Sequence, residues 1–260
     1  MKRLLQRILK NLGYTVSKIQ PESKSPTREE LYPDIKEQEF WEIYDLCKPF
    51  TMTSVERMYA LYLAVQYILT NNIDGDFVEC GVWRGGSSML TAKMLSNRNI
   101  KNRKLYLYDT FEGMSPPTNS DIAYNDETAQ SLFETIVDEN GKTTWCLANL
   151  TDVKNNMKLT KFPENNLIYV EGKVEDTIPN KLPETNLAML RLDTDWYEST
   201  KHELVHLFPK LIKEGILIID DYGYWKGCRK AVDEYFSEKK LSVLLNRIDM
   251  TGRILVKNFN

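Results

Sequence analysis

The sequence predicts an α/β fold, a doubly wound and mostly parallel sheet of seven strands that ends in an antiparallel hairpin and follows a helical arm. Three observations carry this. From Asp76 onward short apolar runs alternate with amphipathic stretches, the βαβ rhythm of a parallel sheet with right-handed crossovers. The tail breaks that rhythm: Ser242–Ile248 and Arg253–Lys257 are extended runs on either side of Asp249-Met250-Thr251-Gly252, which reads as a hairpin. The chain has 260 residues, 42% apolar and 27% charged, enough to bury one large core.

In chain order, residues 2–12 set Leu4, Leu5, Ile8, Leu9 and Leu12 on one helical face, with Lys2, Arg3, Arg7 and Lys10 mostly on the other. Such a basic amphipathic helix suits weak peripheral contact with an anionic membrane surface, or docking on the chain's own core or on a second copy. Pro21, Pro26 and Pro33 mark residues 20–33 as a linker. Residues 1–37 thus form an N-terminal helix and linker, and 38–260 the main domain. A helical arm spans 38–72: one helix over Gln38–Leu46, then a longer one capped by Thr51-Met52-Thr53-Ser54, with Met58, Leu61, Tyr62 and Val65 on its apolar face. Strands are expected near 76–81, 104–109, 166–171, 187–193 and 215–220. The 110–160 stretch is long for one crossover and reads as a helical insertion, a lid over the site. A parallel sheet finished by a hairpin is the shape of a class I methyltransferase.

With 34 basic and 37 acidic residues the net charge is −3, which offers no field for a nucleic-acid backbone and argues against nucleic-acid partners. The four cysteines, Cys47, Cys80, Cys146 and Cys228, are widely spaced and suggest buried thiols in a reducing compartment. No apolar run nears the roughly 18–20 residues that span a bilayer, so a cytoplasmic location is expected. Asn149-Leu150-Thr151 matches a glycosylation acceptor by chance on this reading.

In open α/β sheets ligands bind beyond the C-terminal strand ends, and this chain has acids at four of them. Glu79-Cys80-Gly81-Val82-Trp83-Arg84-Gly85-Gly86-Ser87-Ser88 supplies a tight Gly-rich turn and a helix N-terminus. Asp109 follows about 20 residues later, placed to accept both hydroxyls of a ribose. Turn and acid together indicate an adenosine-containing cofactor without separating NAD from S-adenosylmethionine. Asp193, Asp220 and Asp221 end the fourth and fifth strands. Three carboxylates at close range call for a cation, and an all-oxygen set favours Mg²⁺ or a similar hard divalent ion. Two other patterns read as structural. His202-Glu203-Leu204-Val205-His206 has the spacing of zinc hydrolases but lies in a crossover helix with no evident third ligand. Tyr222-Gly223-Tyr224-Trp225-Lys226 has a dehydrogenase-like Tyr-x-x-x-Lys spacing, but Gly223 argues for a turn.

These residues together resemble the TylF/MycF family of macrocin-type sugar O-methyltransferases, which use S-adenosylmethionine and Mg²⁺. The resemblance runs from about Phe40 to Phe236 through Thr51-Met52-Thr53-Ser54-Val55-Glu56-Arg57-Met58, the Glu79–Ser87 turn, Asp109-Thr110-Phe111-Glu112-Gly113, Gly172-Lys173-Val174-Glu175-Asp176-Thr177-Ile178-Pro179, Arg191–Thr200 and Ile219-Asp220-Asp221-Tyr222-Gly223. It implies that Met52 and Thr53 close over the methionine end of the cofactor, and that Glu79, Gly81 and Ser87 hold its amino and carboxylate groups. Trp83 would line the same turn, Asp109 hold the ribose, and the backbone around Lys173 and Val174 frame the adenine. It further implies that Asp193, Asp220 and Asp221 carry the metal, that Asp193 is the catalytic base, with Asp195 or a metal-bound water able to take that task, and that the protein is a homodimer or higher homo-oligomer. The expected reaction is Mg²⁺-dependent methylation of a hydroxyl on a sugar or glycosylated acceptor. A catechol-like aromatic diol, or an NAD-dependent sugar epimerase or dehydrogenase reaction, are the alternatives.

Overall fold

The computed structural model describes residues 26–259. The amphipathic segment 2–12 and residues 20–25 of the linker therefore lie outside the described residues. Ahead of the compact unit that begins at Glu39, one helical turn, α1 (Arg28–Leu31), is closed by a capping box: Thr27 Oγ1 accepts from the Glu30 N–H, and Glu30 Oε2 accepts from the Thr27 N–H at 2.7 Å.

Within the main unit, α2 (Gln38–Cys47) buries Phe40, Ile43, Tyr44 and Cys47, an i, i+3, i+4, i+7 stripe. Phe40 packs edge-on against Tyr59 and Tyr62 of α3 (Val55–Thr70), with ring centroids 5.0 and 5.6 Å away. Ser54 caps α3, accepting from the Arg57 N–H, as its side-chain chemistry favours. The sheet follows: β1 (Asp76–Cys80), α4 (Gly86–Asn97), β2 (Leu105–Asp109), the insertion helices α5 (Ala129–Thr135) and α6 (Leu150–Lys158), β3 (Leu167–Glu171), the single turn α7 (Val174–Thr177), β4 (Leu187–Leu192), α8 (Tyr197–His206), β5 (Leu211–Ile219), α9 (Lys226–Glu238), β6 (Asn246–Arg247) and β7 (Arg253–Val256). Asn149, the chance glycosylation match, caps α6 through the Asp152 N–H.

Sheet order is β3-β2-β1-β4-β5-β7-β6, parallel from β3 to β5 and antiparallel at β7 and β6. The order reverses between β1 and β4, and that switch point opens a crevice beyond the strand ends. β1 and β4 are buried at every position, as strands covered on both faces must be. The ends of β1, β2 and β3 fall within one residue of expectation, and three other boundaries differ as follows. β5 starts four residues early, at Leu211, across an irregular stretch where Lys213 and Glu214 face outward and Glu214 takes a φ of 69°. β4 stops at Leu192, leaving Asp193 just outside the ladder. The first hairpin limb pairs only at Asn246 and Arg247, because Val243 and Leu245 pack onto the core and take the chain off the ladder.

Beneath the hairpin side, Phe208 sits 2% exposed among Tyr235, Phe236 and Phe259. All four cysteines are unbridged thiols. No helix among the described residues is long and apolar enough to cross a membrane. Phe208→Ala should remove about 3–5 kcal/mol of stability, measured as a lower urea midpoint at unchanged slope.

Candidate functional site

Two backbone approaches shape the crevice. Gly81, just past β1, has a φ of 81°, and a Cβ there would lie 1.9 Å from the Asp193 carbonyl oxygen. Only glycine fits where β1 and β4 converge this closely, and the Asp193 N–H donates to the Cys80 carbonyl at 2.8 Å across the same gap. Gly86 opens α4 against Phe50 and Thr51, where a Cβ would meet the Phe50 carbonyl oxygen at 2.6 Å. The Thr51–Ser54 segment is thereby brought over the turn.

Asp109 fastens that turn. Its Oδ2 accepts from the N–H groups of Val82 at 2.6 Å and Trp83 at 3.0 Å, and its Oδ1 from Phe111 at 2.7 Å. Burial pushes its carboxyl up while these three donors pull it down. A carboxylate offers about four lone-pair sites, two on each oxygen, so Oδ2 is filled by its two donors and Oδ1 keeps capacity for a further one.

The centre of the site is Arg191 on β4, 2% exposed. It reaches Glu79 at 2.6 Å, Asp193 at 2.7 Å and Asp220 at 2.5 Å, acids carried by or just beyond β1, β4 and β5. Arg57 from α3 takes the other Asp220 oxygen and also pairs with Asp249 of the hairpin turn at 3.1 Å. Ser88 donates to the remaining Glu79 oxygen. Asp193, Asp195 and Asp221 place one carboxylate oxygen each within 4.8 Å of one another. Burial raises the acids here: Glu79 and Asp195 each to about 7, and Asp221 well above the usual range through burial and then Asp195 and Asp220. Asp221 Oδ2 is buried with no hydrogen-bond partner among the described residues.

All eight residues expected around the cofactor, Met52, Thr53, Glu79, Gly81, Trp83, Ser87, Asp109 and Val174, line one cavity of about 370 Å³, together with Asp193, Asp220 and Asp221. The acidic cluster differs from the expected trio. Asp195 joins Asp193 and Asp221, whereas Asp220 turns both oxygens to arginines. Sequence reasoning gave no role to Arg57 or Arg191, although a charge between Leu190 and Leu192 in an apolar strand is a signal that acids must lie nearby. It also gave no place in the site to Trp145 and Cys146, which the insertion contributes to the wall. The two structural patterns stay out of the chemistry: Tyr222 donates to Asp233, Lys226 pairs with Asp126, and His202 Nε2 lies 2.9 Å from the Ile178 carbonyl oxygen.

Removing Arg191 strands three acids, so Arg191→Met should cost about 3–5 kcal/mol near neutral pH. The loss should depend on pH. Glu79 titrates near 7 when folded against an ordinary 4.5, so its neutral form favours folding, and that contribution is full below 4.5 and fades as pH rises through 7. Urea denaturation at pH 5 and pH 8 should therefore show the variant's deficit widening at the higher pH.

The model of the macrocin O-methyltransferase (TylF) family matches residues 25–257. An 8-demethyl-8-(2,3-dimethoxy-alpha-L-rhamnosyl)-tetracenomycin-C 4'-O-methyltransferase from Streptomyces olivaceus is 34% identical over 202 residues, 78% of this chain and 73% of that protein. Demethyldecarbamoylnovobiocin O-methyltransferase from Streptomyces niveus is 30% identical over the same coverage. Among solved structures, the O-methyltransferase NovP superposes with a TM-score of 0.70 at 28% identity, covering 81% of this chain and 83% of that one. The Gly81–Gly86 turn, the acid at the end of β2 and the carboxylates beyond β4 and β5 thus stand in a matched frame, and the chain belongs to the macrocin O-methyltransferase (TylF) family of S-adenosylmethionine-dependent O-methyltransferases.

Proposed function

We propose that the protein methylates a hydroxyl of a sugar or of a glycosylated small molecule, and that it needs Mg²⁺ or a similar divalent cation to do so. The meeting of Asp193, Asp195 and Asp221 in the cavity that the Gly81–Gly86 turn also lines is the observation that carries this. The rhamnosyl group in one relative's name supports a sugar-bearing acceptor. The methyltransferase domain on this reading is residues 38–260.

Met52 and Thr53 would close over the methionine end of S-adenosylmethionine, with Glu79, Gly81 and Ser87 around its amino and carboxylate groups and Trp83 along the turn. Asp109 would take a ribose hydroxyl on the Oδ1 lone pair that its three backbone donors leave open, and Val174 would frame the adenine. The residues fit a hard cation as well: the donor set is all oxygen, and Asp221 Oδ2 is buried without a partner among the described residues. Asp193 and Asp221 would hold the ion, while Asp220 stays on Arg57 and Arg191. Even before Asp249 is counted, five carboxylates face two guanidiniums in this network. The sulfonium cofactor and a divalent ion would both offset that excess. When bound, the ion supplies positive charge that gathers two acceptor oxygens and favours the alkoxide.

Transfer is an in-line displacement, so the chain's own part is placement and proton removal. Asp193, the base expected from the sequence, gives one oxygen to Arg191 and would give another to the cation. Asp195 has the better poise: burial brings it to about 7, the range that suits a base acting near neutral pH. It would accept the acceptor's hydroxyl proton as the oxygen–methyl bond forms and the sulfur–methyl bond breaks.

Calorimetry should detect S-adenosylhomocysteine and no NAD; the reverse result would refute the reading. Methyl transfer to sugar acceptors should stop in EDTA and return with Mg²⁺, and full activity in EDTA would remove the cation from the mechanism. Asp193→Asn should lose both Mg²⁺ affinity and turnover. Asp195→Asn should lower kcat by about 10²–10⁴-fold with S-adenosylhomocysteine affinity intact. Because the ionised base is the active form, wild-type kcat/KM should fall as pH drops below about 7, and the cation should move that limb downward.

A further inference from the structure

One motif is left unused by methyl transfer, His202-Glu203-Leu204-Val205-His206 on α8. Its histidines are half-buried, their ring centroids 4.4 Å apart. Glu203 between them is 0% exposed and faces inward. Its Oε1 accepts from Thr194 Oγ1 at 3.0 Å, Oε2 has no hydrogen-bond partner among the described residues, and the Cys80 thiol at the end of β1 neighbours the carboxyl. Burial first, and then the charge of Glu175, pushes its carboxyl well above the usual range. A buried acid of this kind is costly to keep, and the sheet itself gains no ladder bond from it.

The residue it grips explains its place. Thr194 stands between Asp193 and Asp195, in a segment already pinned along its main chain: the Asp193 N–H donates to Cys80, and the Thr194 carbonyl accepts from the Trp196 N–H at 2.8 Å and from Ser199 Oγ at 3.4 Å. Asp195 then turns into the left-handed region at φ 69°. Main-chain bonds fix the path of this turn, and among the described residues the one side-chain tie between its two acids is the Thr194 hydroxyl held by Glu203. We infer that Glu203 is a positioning residue: through Thr194 it holds the turn that aims Asp193 and Asp195 into the cavity, and so sets cation affinity and proton transfer without touching either reactant. The inference rests on the reading that Asp193 helps hold the cation and Asp195 takes the proton.

Four variants test it against wild type: Glu203→Gln, which keeps an acceptor, Glu203→Met, which keeps the volume without one, Thr194→Val, and the double variant Glu203→Met/Thr194→Val. Mg²⁺ and S-adenosylhomocysteine affinities are measured by calorimetry and kcat by methyl transfer. Glu203→Met and Thr194→Val should each weaken Mg²⁺ binding by about 10–100-fold, as lost support behind a metal ligand does, and lower kcat. S-adenosylhomocysteine affinity should stay within about twofold. The double variant should be no worse than the poorer single, and Glu203→Gln should recover most of the loss. Wild-type behaviour of Glu203→Met, losses that multiply in the double variant, or an equal fall in S-adenosylhomocysteine affinity would each overturn the inference. If wild type itself binds no Mg²⁺, the cation reading fails alone, and the coupling of the two positions in kcat decides the role of Glu203. If Glu203→Met does not fold, Thr194→Val decides: an unchanged kcat and Mg²⁺ affinity would refute it.

Discussion

A single buried guanidinium holds the site together. Arg191 bridges acids carried by or next to three strands, with Glu79 before the Gly-rich turn, Asp193 after β4 and Asp220 after β5. Burying a charge is expensive unless its partners are close and well aimed, and here each partner lies at a strand end where the ligand crevice must open. Arg191 therefore ties the relative advance of β1, β4 and β5 to the electrostatics of the pocket. Arg57 extends the tie outward, joining Asp220 to Asp249 and so coupling the helical arm to the hairpin turn. Asp249 in turn accepts from Ser54 Oγ at 2.9 Å and from the Gly252 N–H at 2.7 Å, so one ionic chain runs from the cap of α3 to the end of the sheet.

The close approach of β1 and β4 is the steric side of the same constraint. Gly81 lets the Asp193 carbonyl pass where any Cβ would collide, and that passage places Asp193 beside Arg191. Asp109 locks the turn from the neighbouring strand with two backbone bonds, from Val82 and Trp83. Cofactor turn and acidic cluster are therefore one assembly, because the residue that begins the turn and the residue that begins the cluster share a contact.

Much of this was legible in the residues. Acids at strand ends announced the crevice, and the apolar runs located β1 through β4 to within a residue or two. What stayed hidden depended on side-chain direction. Asp220 and Asp221 are adjacent and identical in kind, yet Asp220 faces the arginines while Asp221 joins Asp193 and Asp195. A period of two guarantees that neighbours diverge at a strand end, but not which one joins the other two acids. Arg191 was visible as a misplaced charge whose partners lay far off in sequence. The short first limb of the hairpin was hidden for another reason, since Val243 and Leu245 pack on the core as readily as they would alternate in a strand. Trp145 and Cys146 reach the cavity from an insertion whose side chains obey no spacing rule.

The excess of carboxylates also explains why such a site is built on a well-packed sheet. Acids that burial drives toward neutrality, with one oxygen left without a partner among the described residues, make the pocket a region that gives up stability. Ligands bringing positive charge bind the folded form alone and return part of that loss by mass action. Covering β1 and β4 on both faces keeps the strand ends from relaxing apart in the meantime. The repulsion among the acids is then held in place rather than relieved by movement, and it remains available to favour the sulfonium of S-adenosylmethionine over neutral competitors of similar size.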